Sequence, residues 1–180
     1  MPGRTRVFLV CAGLLAAAPA WSSQAWASGA EVAEFGEFSA EREYAAPPQP
    51  GDDMLSPKGV VEGLRLVRRT DTLEAQMCLH FGVVIRRLPD AAPLPPRLTV
   101  QSTHPRLTRP DGVSGTRDSF VTATDGDTAY TGWTFEYPWE LQPGDWTIAF
   151  LDGDAVVASK TFHVTVPRRP GSRCPAPPVS

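Results

Sequence analysis

Histidine, cysteine, serine and carboxylate side chains are where chemistry would be found, and their spacing in this chain argues against most of it. His80, His104 and His163 stand far apart, with neither the HxH nor the HExxH spacing that brings two imidazoles to one metal. Cys78 and His80 are two residues apart and would share one face of a strand, but two ligands do not complete a site. Asp125-Gly126-Asp127 and Asp152-Gly153-Asp154 carry too few oxygen ligands for a calcium loop and read as turns. Ser119, Ser159 and Ser172 lack the GxSxG elbow of a serine hydrolase, and neither paired carboxylates nor a papain-like cysteine context accompanies them. The expectation is therefore no catalytic residue, no metal, no cofactor, and a protein that is not an enzyme.

Aromatic side chains offer a different chemistry, stacking on sugar rings. Tyr130, Trp133 and Trp139 are the candidate binding residues, with Tyr137 beside them. Trp133, Phe135 and Tyr137 have same-face spacing on a strand while Tyr130 falls on the other face, and one of those faces must be core. Exposed, coplanar Trp133 and Trp139 would favour a carbohydrate-binding module. Their burial would favour a protein-interaction or accessory module, which would use strand edges or end loops.

The elements that would hold these residues begin after an N-terminal segment of a different kind. Arg4 and Arg6 precede an apolar run from Val7 to Ala18, and Ala25-Trp26-Ala27 supplies a small-x-small cleavage signal. Residues 1–27 thus read as a secretory signal peptide. Pro19 and Ser22-Ser23-Gln24 interrupt the run well before the ~20 apolar residues that a membrane span needs. The expected location is periplasmic or secreted, with no membrane span after cleavage. Loss of Arg4 and Arg6 takes 17 basic residues to 15 against 20 acidic ones, so the net charge moves from −3 to −5. Nucleic acid is an unsuitable partner for such a surface, because it requires clustered Lys and Arg. The partner expected is an envelope protein or a polysaccharide.

After cleavage two cysteines remain, Cys78 and Cys174, an even pair for an oxidising compartment. A Cys78–Cys174 disulfide would pin the Pro-rich tail, residues 167–180, and the chain-entropy model values so long a loop at roughly 4 to 5 kcal/mol. The other reading keeps Cys78 as a small core residue in an apolar strand.

Residues 28–166 read as a single domain of short strands punctuated by 19 prolines and 15 glycines across the chain. Glu31 to Glu43 needs a bulge or close backbone approach at Gly36 to reconcile the phase of Val32, Phe35 and Phe38. Ala45 to Lys58 reads as a loop, Val60 to Arg69 as one strand, Gln76 to Arg87 as a strand buried on both faces, and Arg97 to Ser102 as another. Two Asp-Gly turns predict hairpins, Thr116–Ala123 with Ala129–Tyr137, and Asp145–Leu151 with Ala155–Val166, the last with a phase slip near Lys160. About eight strands at this spacing predict an all-β sandwich.

The run Phe135-Glu136-Tyr137-Pro138-Trp139-Glu140-Leu141-Gln142-Pro143-Gly144-Asp145-Trp146-Thr147-Ile148, followed by Phe162-His163-Val164, resembles the bacterial family DUF3859. Gly36, Phe81-Gly82, His104-Pro105, Pro110 and Gly112 agree with it. Gln76-Met77-Cys78-Leu79 departs from it, standing where the family favours a Pro-Ala element and a further glycine. The resemblance implies an immunoglobulin-like antiparallel β-sandwich, about seven to nine strands, secreted or periplasmic, without an assigned activity or ligand.

Overall fold

Strands whose side chains alternate between apolar and polar can hide the apolar face only against a second sheet. The computed structural model describes residues 29–168; the expected signal peptide and the tail from residue 169 lie outside them. Eleven strands are present: β1 Ala30–Ser39, β2 Arg42–Ala45, β3 Gly59–Glu62, β4 Arg65–Arg68, β5 Thr72–Glu74, β6 His80–Arg87, β7 Arg97–Thr108, β8 Ser114–Ala123, β9 Thr128–Thr134, β10 Gly144–Asp152 and β11 Ala155–Thr165. A four-stranded sheet, β4-β1-β6-β9, faces a five-stranded sheet, β5-β11-β10-β7-β8, while β2 and β3 form a separate ribbon. All pairings are antiparallel except the short β5 against β11. No helix among the described residues is long and apolar enough to cross a membrane.

The inner faces meet in an aromatic core. Phe81, Phe135, Phe150 and Phe162 are fully buried, and Trp146 sits among Phe81, Trp133, Phe135 and His104 with ring centroids 5.1–6.1 Å apart. The β10–β11 hairpin forms as its alternation predicts, turning at Gly153 with φ +57°. Its irregularity lies at Val157, which is skipped between the pairs Phe150↔Ala158 and Leu151↔Val156. Lys160 keeps the phase of Ala158 and Phe162 and so faces inward. Its ammonium leaves the apolar layer by pairing with Asp71 at 2.9 Å and lying 4.1 Å from the Phe35 ring centroid.

Other expectations are corrected. Val60 to Arg69 is broken at Gly63, φ +65°, which sends β3 to the ribbon and β4 to the sheet. Gln76 to Leu79 is a turn, closed by Leu79 N–H donating to Gln76 carbonyl, with Cys78 in a left-handed conformation at φ +64°. The strand therefore starts at His80. β7 continues past Ser102 to Thr108, its pairing with β8 interrupted between Thr103 and Leu107, where Pro105 has no N–H to offer.

The largest correction concerns β8 and β9. Their Asp-Gly turn is tight, with Asp125 and Thr128 exchanging backbone hydrogen bonds at 2.8 and 3.1 Å, but the two strands do not pair as a hairpin. β8 bonds to β7 in one sheet and β9 to β6 in the other. The turn carries the chain across the sandwich, so two sheet edges run side by side.

Candidate functional site

Between those edges lies a cleft of about 500 Å³. Its walls follow from the direction of the backbone groups. Tyr130 carbonyl accepts from Thr122 Oγ1 at 3.3 Å, whereas Phe135 turns its N–H and carbonyl to Leu79 and Cys78. Backbone direction alternates along a strand, so Tyr130, Gly132 and Thr134 aim N–H and C=O away from β6 and into the cleft. On the opposite wall Ser119 exchanges two 2.8 Å bonds with Asp53, and Val121 carbonyl accepts from Lys58 Nζ at 2.6 Å. Ser119, Val121 and Ala123 thus point away from β7. The segment 53–58, expected as part of an unplaced loop, straps one side of this opening.

The floor is the outer face of the four-stranded sheet. Gly36, Gly82 and Gly132 stand in register across β1, β6 and β9. A Cβ at Gly82 would come within 2.7 Å of Tyr130 Oη and 2.5 Å of Thr131 carbonyl. The absence of side chains there leaves room for the Tyr130 ring, which also meets Phe38 edge-on at 5.5 Å.

A hydrogen-bonded chain then fixes the proton positions. Glu43, a carboxylate that only accepts, takes the Thr134 hydroxyl proton at 3.0 Å. Thr134 Oγ1 in turn accepts from His80 Nδ1 at 2.6 Å, leaving His80 Nε2 as acceptor for the Tyr130 hydroxyl. The Tyr130 oxygen consequently offers lone pairs, and no proton, to the cleft. Burial lowers the His80 pKa and, with Glu43 nearby, raises that of Tyr130, so both rings stay neutral.

Two buried acids tie down the strap. Asp118 accepts Leu55 N–H at 2.6 Å, and Glu140 accepts the Ser56 hydroxyl as well as Glu136 and Tyr137 N–H at 2.7 and 2.8 Å. Asp118 Oδ2 also faces His104 Nε2 at 3.4 Å, both side chains fully buried. His104 Nδ1 bonds to Pro105 carbonyl at 2.8 Å, and neither Nε2 nor Asp118 Oδ2 has a hydrogen bond among the described residues.

Burial pushes the Glu140 carboxyl up from 4.5 to about 7, against the lowering effect of the Ser56 and backbone bonds. The folded state therefore holds this proton more tightly than the unfolded chain. Its contribution is fully present below pH 4.5 and is lost as pH rises through about 7. Glu140→Gln removes the titration while keeping an acceptor. Urea unfolding of both proteins is expected to show the parent losing about 3 kcal/mol relative to the variant between pH 4.5 and 7.5. A difference that does not change with pH would contradict this.

The structure does not bring the three candidate sugar-binding aromatics together. Tyr130 and Trp133 both border the cleft, but from opposite faces of β9: Tyr130 faces outward, while Trp133 is 7% exposed and packs its ring in the core. Trp139 lies half-buried on the turn Pro138–Glu140, stacked on Tyr137 at 5.5 Å and 15°. Glu140 accepts backbone N–H groups of that turn. Among the described residues no three His, Cys, Asp or Glu side chains converge as a metal site would require. Sequence reasoning missed the Glu43, Thr134, His80 and Tyr130 chain, whose one visible signal is the pair of strand glycines, Gly82 and Gly132.

Cys78 is disulfide-bonded. Cys174, its expected partner, lies outside the described residues, and we retain that pairing as a proposal. Cys174→Ser is expected to free one thiol in the protein of residues 28–180, counted by alkylation and mass measurement. A Cys78 that stays blocked would identify another partner.

Three comparisons place the chain among known proteins. The profile of a family described as a domain of unknown function (DUF3859) matches residues 34–164. No curated protein matches. An immunoglobulin-like protein from Pseudomonas aeruginosa, solved as a crystal structure, is similar over 78% of this chain and 99% of its own, with a TM-score of 0.54 and 20% identity. That likeness is one of fold.

Proposed function

Since the chain belongs to the DUF3859 family, whose description carries no activity, we propose a role from geometry: a non-enzymatic module that captures an extended peptide segment by strand addition. The observation that carries this reading is the open edge of β9, where Tyr130, Gly132 and Thr134 direct backbone groups into the cleft. An added strand would complete that ladder, with main-chain bonds giving affinity and alternate side chains giving selectivity. The opposite wall supports the same mode, because Asp53 of this chain already pairs with Ser119 in that way. The signal-like segment 1–27 supports export, so the partner we propose is a protein of the cell envelope, met in the periplasm or outside the cell.

Carbohydrate binding is the weaker reading. Trp133 is withdrawn into the core, and Tyr137 and Trp139 each spend one ring face on the other.

Amide hydrogen exchange on the purified protein, with an excess of extended peptides selected from a random library, separates the two. Bound peptide is expected to slow Gly132 and Thr134 amides at least tenfold while leaving Trp133, already paired with β6, unchanged. Protection confined to Tyr137–Trp139 and produced by envelope polysaccharide would replace the peptide reading with the sugar one.

A further inference from the structure

The peptide reading says nothing of which side chain the cleft prefers, but the polarity of its walls does. Tyr130 Oη presents only lone pairs to the cavity, because its proton is committed to His80. Glu43 lines the same cavity with its remaining oxygen lone pairs, and Glu136 lines it from the loop after β9. The cation on the lining, Lys58, is turned to the far wall, where it bonds Val121 carbonyl and lies over the Phe120 ring at 5.1 Å. The side-chain groups on this side of the cavity are thus weighted toward acceptors, two carboxylates and the phenol oxygen, while the donors that remain are neutral: the Gly132 and Thr134 backbone N–H groups of the strand edge and the buried Trp133 Nε1–H.

We propose that the cleft seats a cationic hydrogen-bond donor, the ammonium or guanidinium of a Lys or Arg side chain on the captured peptide, against Tyr130 Oη, Glu43 and Glu136. The inference rests on the strand-addition reading for its occupant, and on the cavity's own chemistry for its selectivity. A guanidinium or ammonium has several donors and no acceptor, so it complements the Tyr130, Glu43 and Glu136 oxygens, leaving the β9 backbone N–H groups to the main chain of the captured peptide. The relay through His80 and Thr134 makes that polarity a property of the fold, since reversing the Tyr130 hydroxyl would leave the bonds below it unmatched. Glu43 and Glu136 also repel one another, and burial together with Glu43 raises the Glu136 pKa. A cation between them relieves that repulsion.

The test uses the purified protein of residues 28–180 with small probes that cannot pair as strands: n-butylammonium and N-butylguanidinium, against n-butanol and butyrate. Ring signals of His80 and Tyr130 in NMR spectra report occupancy. Saturable shifts are expected from both cations, at least fivefold weaker from n-butanol, absent from butyrate, and weakened as salt is raised. Tyr130→Phe keeps the ring but removes the acceptor, and is expected to weaken cation binding at least fivefold as read on His80; Glu43→Gln is expected to do the same while leaving the fold intact by its amide spectrum. Equal binding of n-butanol, or tighter binding of butyrate, overturns the inference. A peptide pair differing only by Arg or norleucine then separates it from the reading beneath it. Equal protection of Gly132 and Thr134 by both peptides overturns the cation preference and leaves strand addition standing. Cation shifts without protection by either peptide support the cation site and remove strand addition.

Discussion

Trp146→Ala is expected to cost about 3–5 kcal/mol of folding stability, measured by urea denaturation at fixed pH. The indole is 2% exposed and lies where Phe81, Trp133, Phe135 and His104 converge. Its Nε1–H also donates to Gln142 carbonyl at 3.2 Å, which ties the turn before β10 to the core. Truncation removes the more deeply buried of the two core tryptophans, opens a cavity that surrounding rings cannot close, and leaves that carbonyl without its donor. Domains of this size hold only about 5–15 kcal/mol in all, so the variant should stand near the edge of unfolding at room temperature. Trp146→Phe, which keeps an aromatic ring but not the donor, is expected to lose less than half as much. A loss below about 1 kcal/mol for the alanine variant would mean that the core can repack around this position.

Gly36→Ala is the second large effect, and its origin is the backbone. Gly36 has φ +134°, a conformation that L residues rarely adopt, and a Cβ there would overlap Arg68 carbonyl and lie 2.9 Å from Thr70 N. Strain of this kind costs about 1–3 kcal/mol, and displacement of packed neighbours adds about 1–3 kcal/mol more. The substitution should therefore remove about 3 kcal/mol or more, with faster amide exchange at Leu66 and Arg68 as β4 parts from β1. Normal stability together with unchanged exchange in β4 would show that the strands do not approach as closely as described.

These glycines show how far sequence reading reaches. Gly36 was legible as a close approach, and the Arg68 carbonyl lies against it; the bulge is elsewhere, at Ala33, which brings Val32 and Phe35 into one phase while Phe38 stays on the outer face beside Tyr130. The β10–β11 hairpin was legible for a related reason: Trp146, Ile148 and Phe150 alternate on one side of an Asp-Gly turn, and Ala158, Phe162 and Val164 match them on the other. The same turn chemistry misled at Asp125-Gly126. A tight turn specifies a local reversal, whereas the choice of sheet is made by partners far away, here β6 and β7. Lys160 misled differently, because a long side chain can face the core and still place its charge at the boundary, so hydropathy alone suggested a slip that lies at Val157 instead. The cleft was illegible for the same non-local reason. Glu43, His80, Tyr130 and Thr134 come from two strands, β6 and β9, and the ribbon, and no spacing in the chain encodes their meeting.

The strap over the cleft has a consequence for the order in which the protein is assembled. Leu55 is held by Asp118 and Ser56 by Glu140, partners 63 and 84 residues further along the chain. A growing chain therefore emerges with residues 53–58 long before either anchor exists, and must carry them unplaced until nearly the whole domain is present. Contacts of such separation form slowly, after the loop-closure entropy has been overcome. The cleft is thus a late-maturing feature. Until it closes, the bare edges of β8 and β9 are open to any extended neighbour, and this nascent interval is where a chaperone would have most to do.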